Sequence, residues 1–156
     1  MKVEQVMTKA PATCTGEDFV QVAASLMKRF DTGIIPVTEG VRQPSRLLGV
    51  VTDRDLCLKV LAEDRDPRTV RVGELMERNL TACWPSDTVE TALARMRRAR
   101  VRRLPVVNRD FELLGMLSLG DIVRHKAGRE EDFRKTMAAI CSRVKAHAAK
   151  VTKIAA

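Results

Sequence analysis

Apolar positions along this chain change period in a fixed order. Ala12 to Thr15 reads as a short strand, after which Phe19, Val22, Ala23, Leu26, Met27 and Phe30 recur three or four apart, the spacing of an amphipathic helix. Asp18, three positions before Gln21, is the cap signal for that helix. Ile34-Ile35-Pro36-Val37 and Leu47-Leu48-Gly49-Val50-Val51 are short runs rich in β-branched residues, which predict paired strands. The polar stretch Thr38 to Arg46 between them, with Gly40 and Pro44, reads as a lengthened hairpin turn. A closing helix is expected from Asp53 to about Ala62.

The same order then returns. When the chain is slid until Val3 falls on Val72, Met7 meets Met76, Cys14 meets Cys83, Asp18 meets Asp87, Met27 meets Met96 and Pro36-Val37 meets Pro105-Val106. The second copy has a shorter turn, after which Gly49 meets Gly115, Thr52 meets Ser118 and Asp55 meets Asp121. Asp87-Thr-Val-Glu90 leads into Val89, Ala92, Leu93, Met96 and Ala99 at helical spacing. Leu104-Pro105-Val106-Val107 and Leu113-Leu114-Gly115-Met116-Leu117 are the second strand pair, and Leu119 to about Lys126 the second closing helix. Val3 to Met7 and Val72 to Met76 are lead-in turns. The expected fold is α+β: two repeats, each strand-helix-strand-strand-helix, too small to bury a sheet alone and so packed sheet to sheet in pseudo-two-fold symmetry, plus a C-terminal helix. The boundaries are 1–63 for the first repeat, 64–127 for the second and 128–156 for the C-terminal helix.

The repeated segment Gly-x-x-(Thr/Ser)-x-x-Asp carries the candidate chemistry. The apolar pair after the Gly ends a buried strand, Thr52 or Ser118 caps a helix, and Asp55 or Asp121 sits in its first turn. A hydroxyl, a carboxylate and backbone N–H groups gathered at one helix start suit a sugar-phosphate ligand. The same spacing is also that of an ordinary capping box.

The ordered set of these motifs resembles a pair of CBS domains, the cystathionine-β-synthase-type repeat whose pairs form Bateman modules. The resemblance rests on the Val-Met-Thr and Leu-Met-Glu starts, the Ile-Pro-Val and Leu-Pro-Val strands and the two Gly-x-x-(Thr/Ser)-x-x-Asp segments. It covers about Lys2 to His125. It implies adenine nucleotides or a related adenosyl cofactor, AMP, ADP or ATP among them, held in clefts between the repeats. In one cleft Ser118 would face phosphate and Asp121 the ribose hydroxyls, with Met7, Ala12, Thr32 and Ile34 near the base. In the other, Thr52 and Asp55 would be opposed by Met76, Thr81, Val101 and Arg103. Asp31-Thr-Gly-Ile34 is replaced in the second repeat by Arg100-Val-Arg-Arg103, so Arg102 and Arg103 bring cationic forks to the second cleft, which is expected to favour the more highly phosphorylated ligand. The implied role is regulatory, through conformational or oligomeric change in a homodimer.

Composition narrows the alternatives. With 45% hydrophobic residues in 156, a true core is expected. The longest apolar runs span only a few residues and the N-terminus has no signal-peptide pattern, so the protein reads as soluble and cytoplasmic, without membrane insertion. Cys14, Cys57, Cys83 and Cys141 include no C-x-x-C pair, which argues against a metal site or disulfide framework; buried free thiols are expected for Cys14, Cys57 and Cys83. Met7, Met27, Met76 and Met96 read as core filling. No nucleophile with base and orienting group is visible, so no catalytic residue is assigned and an enzyme is not expected. No cofactor is required, although Mg²⁺ could accompany a nucleotide near Thr52-Asp53-Arg54-Asp55. The net charge is +8, most of it after Val123. There Phe133, Met137, Ile140, Cys141, Val144, Ala148 and Val151 form one face of a basic amphipathic helix, with Glu130, Glu131 and Asp132 at its start. Packing on the protein's own helices or a second subunit is expected, and nucleic-acid binding or scaffolding through this helix is the alternative. One Trp, no Tyr and four Phe leave little stacking surface for single-stranded nucleic acid.

Overall fold

The computed structural model describes residues 1–151, with side chains described over 1–142. After a 3-10 turn at Val3–Gln5, the elements are β1 (Thr8–Lys9), β2 (Cys14–Thr15), α1 (Val20–Phe30), β3 (Ile34–Thr38), β4 (Leu47–Thr52) and α2 (Asp53–Leu56), which runs on into a π-helical turn, Cys57–Leu61. Then come α3 (Val72–Leu75), α4 (Val89–Ala99), β5 (Arg103–Val107), β6 (Leu113–Ser118), α5 (Leu119–Arg124) and α6 (Glu130–Val151). The α+β class, the duplicated element order and the C-terminal helix match the periodicity. Two three-stranded sheets form, ordered β2-β3-β4 and β1-β6-β5. In the first, β2 runs parallel to β3 with Cys14 opposite Val37, and β3 runs antiparallel to β4 with Ile34 opposite Thr52. The second-repeat counterpart of β2 is reduced to one parallel bridge, Cys83 to Val106.

Two compact units result. The first comprises Lys9–Leu80 and Val107–Gly115, and the second Met1–Thr8, Thr81–Val106 and Met116–Ala156. They cross the sequence repeats, because each lead-in turn belongs to the core of the other repeat's body. In the first unit Val72, Leu75 and Met76 pack with Val20, Met27, Ile35 and Val51. In the second, Val3 and Val6 pack with Leu93, Met96, Leu104 and Leu117. The exchange is symmetrical at the backbone: Val72 N–H donates to the Asp18 carbonyl and Val3 N–H to the Asp87 carbonyl, each at 2.9 Å. A lead-in of one helical turn has only its apolar residues to bury, and a sheet with its own helix supplies the place.

That exchange also alters the helix starts. Asp18 does not cap α1, whose N-cap is Phe19 without a side-chain bond. The first free N–H groups, of Val20 and Gln21, donate to the carbonyls of Val70 and Pro67 at 3.0 and 3.2 Å. Asp18 instead turns back and accepts from the Thr15 N–H and hydroxyl at 2.7 and 3.0 Å. Asp87 accepts from Trp84 N–H in the same way at 2.7 Å, and Thr88 caps α4 through Thr91 N–H. The buried stripe of α1 is Val20, Ala23 and Met27, leaving Val22 and Phe30 exposed. Cys57 is exposed rather than buried, since Val60 and the partly buried Leu56, one turn apart, take the inward face of the closing helix.

α6 lies on α4. Ile140 and Thr136 are buried, Phe133 and Met137 pack against the core, and the Thr136 hydroxyl is shared between the carbonyls of Asp132 (2.7 Å) and Leu93 (3.2 Å). The first half of the expected stripe therefore rests on the protein's own helix through Ile140 and in part through Phe133 and Met137, with Cys141 exposed, while the side chains of Val144, Ala148 and Val151 lie outside the described residues. The turn into α6 needs Gly128, which has φ +79° and would place a Cβ 3.1 Å from Val89 Cγ1. Among the described residues no helix is long and apolar enough to cross a membrane.

Candidate functional site: two capped carboxylates

β4 ends on Thr52 and β6 on Ser118, and each hydroxyl residue is the N-cap of the helix that follows, so both capping boxes form. Asp55 Oδ2 accepts from the Thr52 N–H (3.0 Å) and hydroxyl (2.6 Å), while Asp55 N–H donates back to Thr52 Oγ1 at 3.2 Å. Asp121 Oδ2 accepts from the Ser118 N–H (2.8 Å) and hydroxyl (2.6 Å), and its own N–H donates to Ser118 Oγ at 3.0 Å. One carboxylate oxygen in each unit is thus committed to the helix start. The other, Oδ1, is what a ligand hydroxyl would meet.

The two outer oxygens differ. Asp55 Oδ1 is 2.8 Å from Lys59 Nζ, which also donates to the Leu75 carbonyl at 3.0 Å. Burial pushes the Asp55 carboxyl up, but hydrogen bonds from Lys59 and Thr52 outweigh it and hold the group below the usual aspartate value of 3.8. Asp121 is 4% exposed, and among the described residues its Oδ1 has two long contacts: the Arg124 guanidinium at 3.3 Å and the Thr8 hydroxyl at 3.5 Å. The Arg124 side chain is 70% exposed, so its hold is weakened by water and salt.

The other expected residues fall to one unit or the other. Met7, partly buried, shares the second unit with Ser118 and Asp121, as do Thr81, Val101, Arg102 and Arg103. Met76 shares the first unit with Thr52 and Asp55, as do Ala12, Thr32 and Ile34. Met76 runs so close to β4 that a Cβ on Gly49 would lie 2.9 Å from its sulfur and 2.8 Å from the Glu77 carbonyl oxygen. The Thr32 hydroxyl lies 3.3 Å from the Ile34 carbonyl, to which it donates. Arg103 is exposed at the start of β5, and Arg102 lines a cavity of about 530 Å³ with residues of α5 and α6. A second cavity, about 510 Å³, is lined in the first unit by Gly16, Thr38, Leu48, Arg71, Gly73 and Met76 among others.

For Mg²⁺ the arrangement offers little. Asp53 Oδ1 accepts from Arg54 N–H at 2.7 Å, and Asp55 is engaged by Lys59. Among the described residues no group of three His, Cys, Asp or Glu is placed to hold a metal ion. Three partners of the carboxylates escaped the motif reading. Lys59 and Arg124 were legible as helix neighbours four and three positions on. Thr8 was not, because it reaches Asp121 from the other end of the chain.

The CBS domain family matches residues 3–62 and 72–128. The chain belongs to the CBS domain family. It is 38% identical over 129 residues to the CBS domain-containing protein YhcV of Bacillus subtilis, covering 82% of this chain and 87% of that protein. It is 32% identical over 143 residues to hypoxic response protein 1 of Mycobacterium tuberculosis, covering 91% of this chain and 96% of that one. Among solved structures, hypoxic response protein I with two coordinated zinc ions superposes with a TM-score of 0.71 at 29% identity, over 80% of this chain and 98% of that one. The CBS domain pair of protein MJ0100, in complex with 5'-methylthioadenosine and S-adenosylmethionine, gives 0.69 at 21% identity over 81% and 95%, a likeness of fold.

Proposed function

We propose that this protein is a regulatory module that binds an adenosyl ligand, AMP, ADP, ATP or a relative, between its repeats and signals by a change of conformation or of association in a homodimer. The observation that carries this reading is Asp121: a buried carboxylate, fixed by the Ser118 capping box, whose outer oxygen has only contacts of 3.3 and 3.5 Å. Such an oxygen is an acceptor kept for a ribose hydroxyl. Met7, Thr81 and Val101, which share the unit of Asp121, would flank this ligand. Asp55 and Thr52, with Met76, Ala12, Thr32 and Ile34 of the same unit, would form the weaker ribose site, because a hydroxyl there must displace Lys59. Lys59 would instead favour added phosphate there.

The protein MJ0100, which shares the fold, is known in complex with adenosyl compounds, and this supports the ligand class. The ligand acts only through its difference in affinity between arrangements, so about 1–3 kcal/mol of coupling is the scale to expect. Regulation rather than catalysis is favoured because the contacts of Asp55 and Asp121 are Thr, Ser, Lys and Arg. Nucleic-acid binding through α6 has no observation in its favour over the described residues, where the apolar stripe rests on α4. A thermal-shift panel of AMP, ADP, ATP and S-adenosylmethionine on wild type, Asp55→Ala and Asp121→Ala tests the reading. A stabilising ligand whose effect is lost in Asp121→Ala is expected; flat responses to all four would overturn it.

A further inference from the structure

The cavity of the second unit adjoins the Ser118–Asp121 capping box, on the side of Leu119 and Gly120, and is built by two helical stripes. α5 presents Leu119 and Val123, and α6 presents Phe133, Met137 and Cys141, each set spaced by four along its helix. Gly120, with no side chain, leaves the gap between them open. Val123 is 57% exposed although its neighbours in the cavity are apolar. The polar part of the lining is cationic: Arg102 and Arg124 line it and no carboxylate does. Arg102 makes no ion pair among the described residues, and Arg124 has only Asp121 at 3.3 Å. The acids at the start of α6 are taken up locally, Asp132 by Arg129 at 2.9 Å and Glu131 by Lys135 at 2.6 Å.

We infer that this cavity binds an amphipathic carboxylate, a small anion with a linear apolar tail such as a medium-chain fatty acid. Its volume of about 530 Å³ is in the range of small-molecule sites. An apolar tail would cover Val123 and the exposed parts of Phe133 and Met137, removing water from surfaces that gain nothing from it. A carboxylate head matches the planar forks of Arg102 and Arg124, which offer paired donors where a lysine would offer a point charge. Among the described residues this arrangement occurs once. In the first unit the positions of Leu119, Gly120, Val123 and Arg124 are held by Asp53, Arg54, Cys57 and Leu58, and no helix equivalent to α6 follows.

Arg124 gives the site a consequence. A carboxylate that draws its guanidinium toward the cavity loosens it from Asp121 Oδ1, so an occupied cavity changes the affinity of the ribose site. This coupling, unlike the cavity itself, rests on the adenosyl reading above.

The test is calorimetry of the full chain with sodium decanoate below its micellar concentration, without nucleotide. Decanol and decyltrimethylammonium serve as neutral and cationic controls of equal length. One decanoate per chain is expected, with both controls at least tenfold weaker. Arg102→Ala/Arg124→Ala should weaken decanoate at least tenfold, and Val123→Trp, an exposed substitution that does not touch the core, should block it. No binding, equal binding of the controls, or unchanged binding by the double arginine variant would overturn the proposal. So would a change in oligomer mass on Val123→Trp without decanoate binding, which would make the cavity a seam between copies. A decanoate site with AMP affinity unchanged by decanoate would overturn the coupling and leave the cavity assignment standing.

Discussion

The two units carry the same repeated pattern, and their differences show how each copy has been fitted to its surroundings. In the second unit α4 lies under α6, and the residue at their seam is Leu93, fully buried. The matching residue on α1 of the first unit is Ala24, which is exposed. One copy has a bulky residue where a helix covers it, and the other a small residue where that face is open. The carboxylates diverge in the same manner. Asp55 has a lysine on its outer oxygen at 2.8 Å, whereas Asp121 has only longer contacts and deeper burial. Where Gly33 stands in the first unit, the Asp53 carboxylate would meet a Cβ at 2.6 Å; the second unit has Arg102 there, opposite Leu119. The two repeats share one frame, and local substitutions give the two capped carboxylates unequal surroundings.

The largest expected difference is at the helix seam. Leu93→Ala should lower stability by about 2–5 kcal/mol in urea unfolding, as a buried leucine truncation does. Ala24→Leu should change it by about 0.5 kcal/mol or less. Equal effects would mean that α6 does not protect α4. Next, Gly49→Ala should cost about 1–3 kcal/mol, because the added methyl meets the Glu77 backbone carbonyl at 2.8 Å. Gly33→Ala should cost less, since the Asp53 carboxylate it meets is the exposed end of a side chain.

Smaller effects separate the carboxylates. Thr52→Ala and Ser118→Ala should each cost about 1 kcal/mol as lost caps. The folded pKa of Asp55 lies below 3.8, so its contribution is complete above that value and is lost as pH falls through the folded pKa. Lys59→Met should raise the Asp55 pKa and move this acid loss to higher pH, as followed by carboxyl NMR titration. The smallest difference is between the buried cysteines. Burial, with Asp18 beside Cys14 and Asp87 beside Cys83, pushes both thiols up to about 12. Alkylation of the folded protein at pH 8 should therefore label the exposed Cys57 and Cys141 and spare Cys14 and Cys83.

What was legible in the sequence was what local spacing determines. The helices, the paired strands and both capping boxes follow from residues at most a few positions apart. Asp18 was misread because its competitors for the α1 N-terminus, Val70 and Pro67, come from a loop some fifty residues on. The exchange of lead-ins was hidden for the same reason: Val3 to Met7 reads as the start of its own repeat, and only long-range packing places it in the other. Cys57 sits among apolar residues in sequence, but the helix turns it away from the face that Val60 takes. At the site, Lys59 and Arg124 were within reach of helical spacing arguments, whereas the cavity beside α5 requires α6 to be in place.

The central claim, that the two capped carboxylates are unequal ribose acceptors, is tested most directly by titrating AMP into wild type, Asp121→Asn and Asp55→Asn by calorimetry. These substitutions retain the capping geometry better than alanine and remove the anionic acceptor. The account predicts that Asp121→Asn weakens the tighter site at least tenfold, about 1.4 kcal/mol, while Asp55→Asn leaves it within about twofold. Loss of the tighter site in Asp55→Asn with Asp121→Asn unaffected would contradict it.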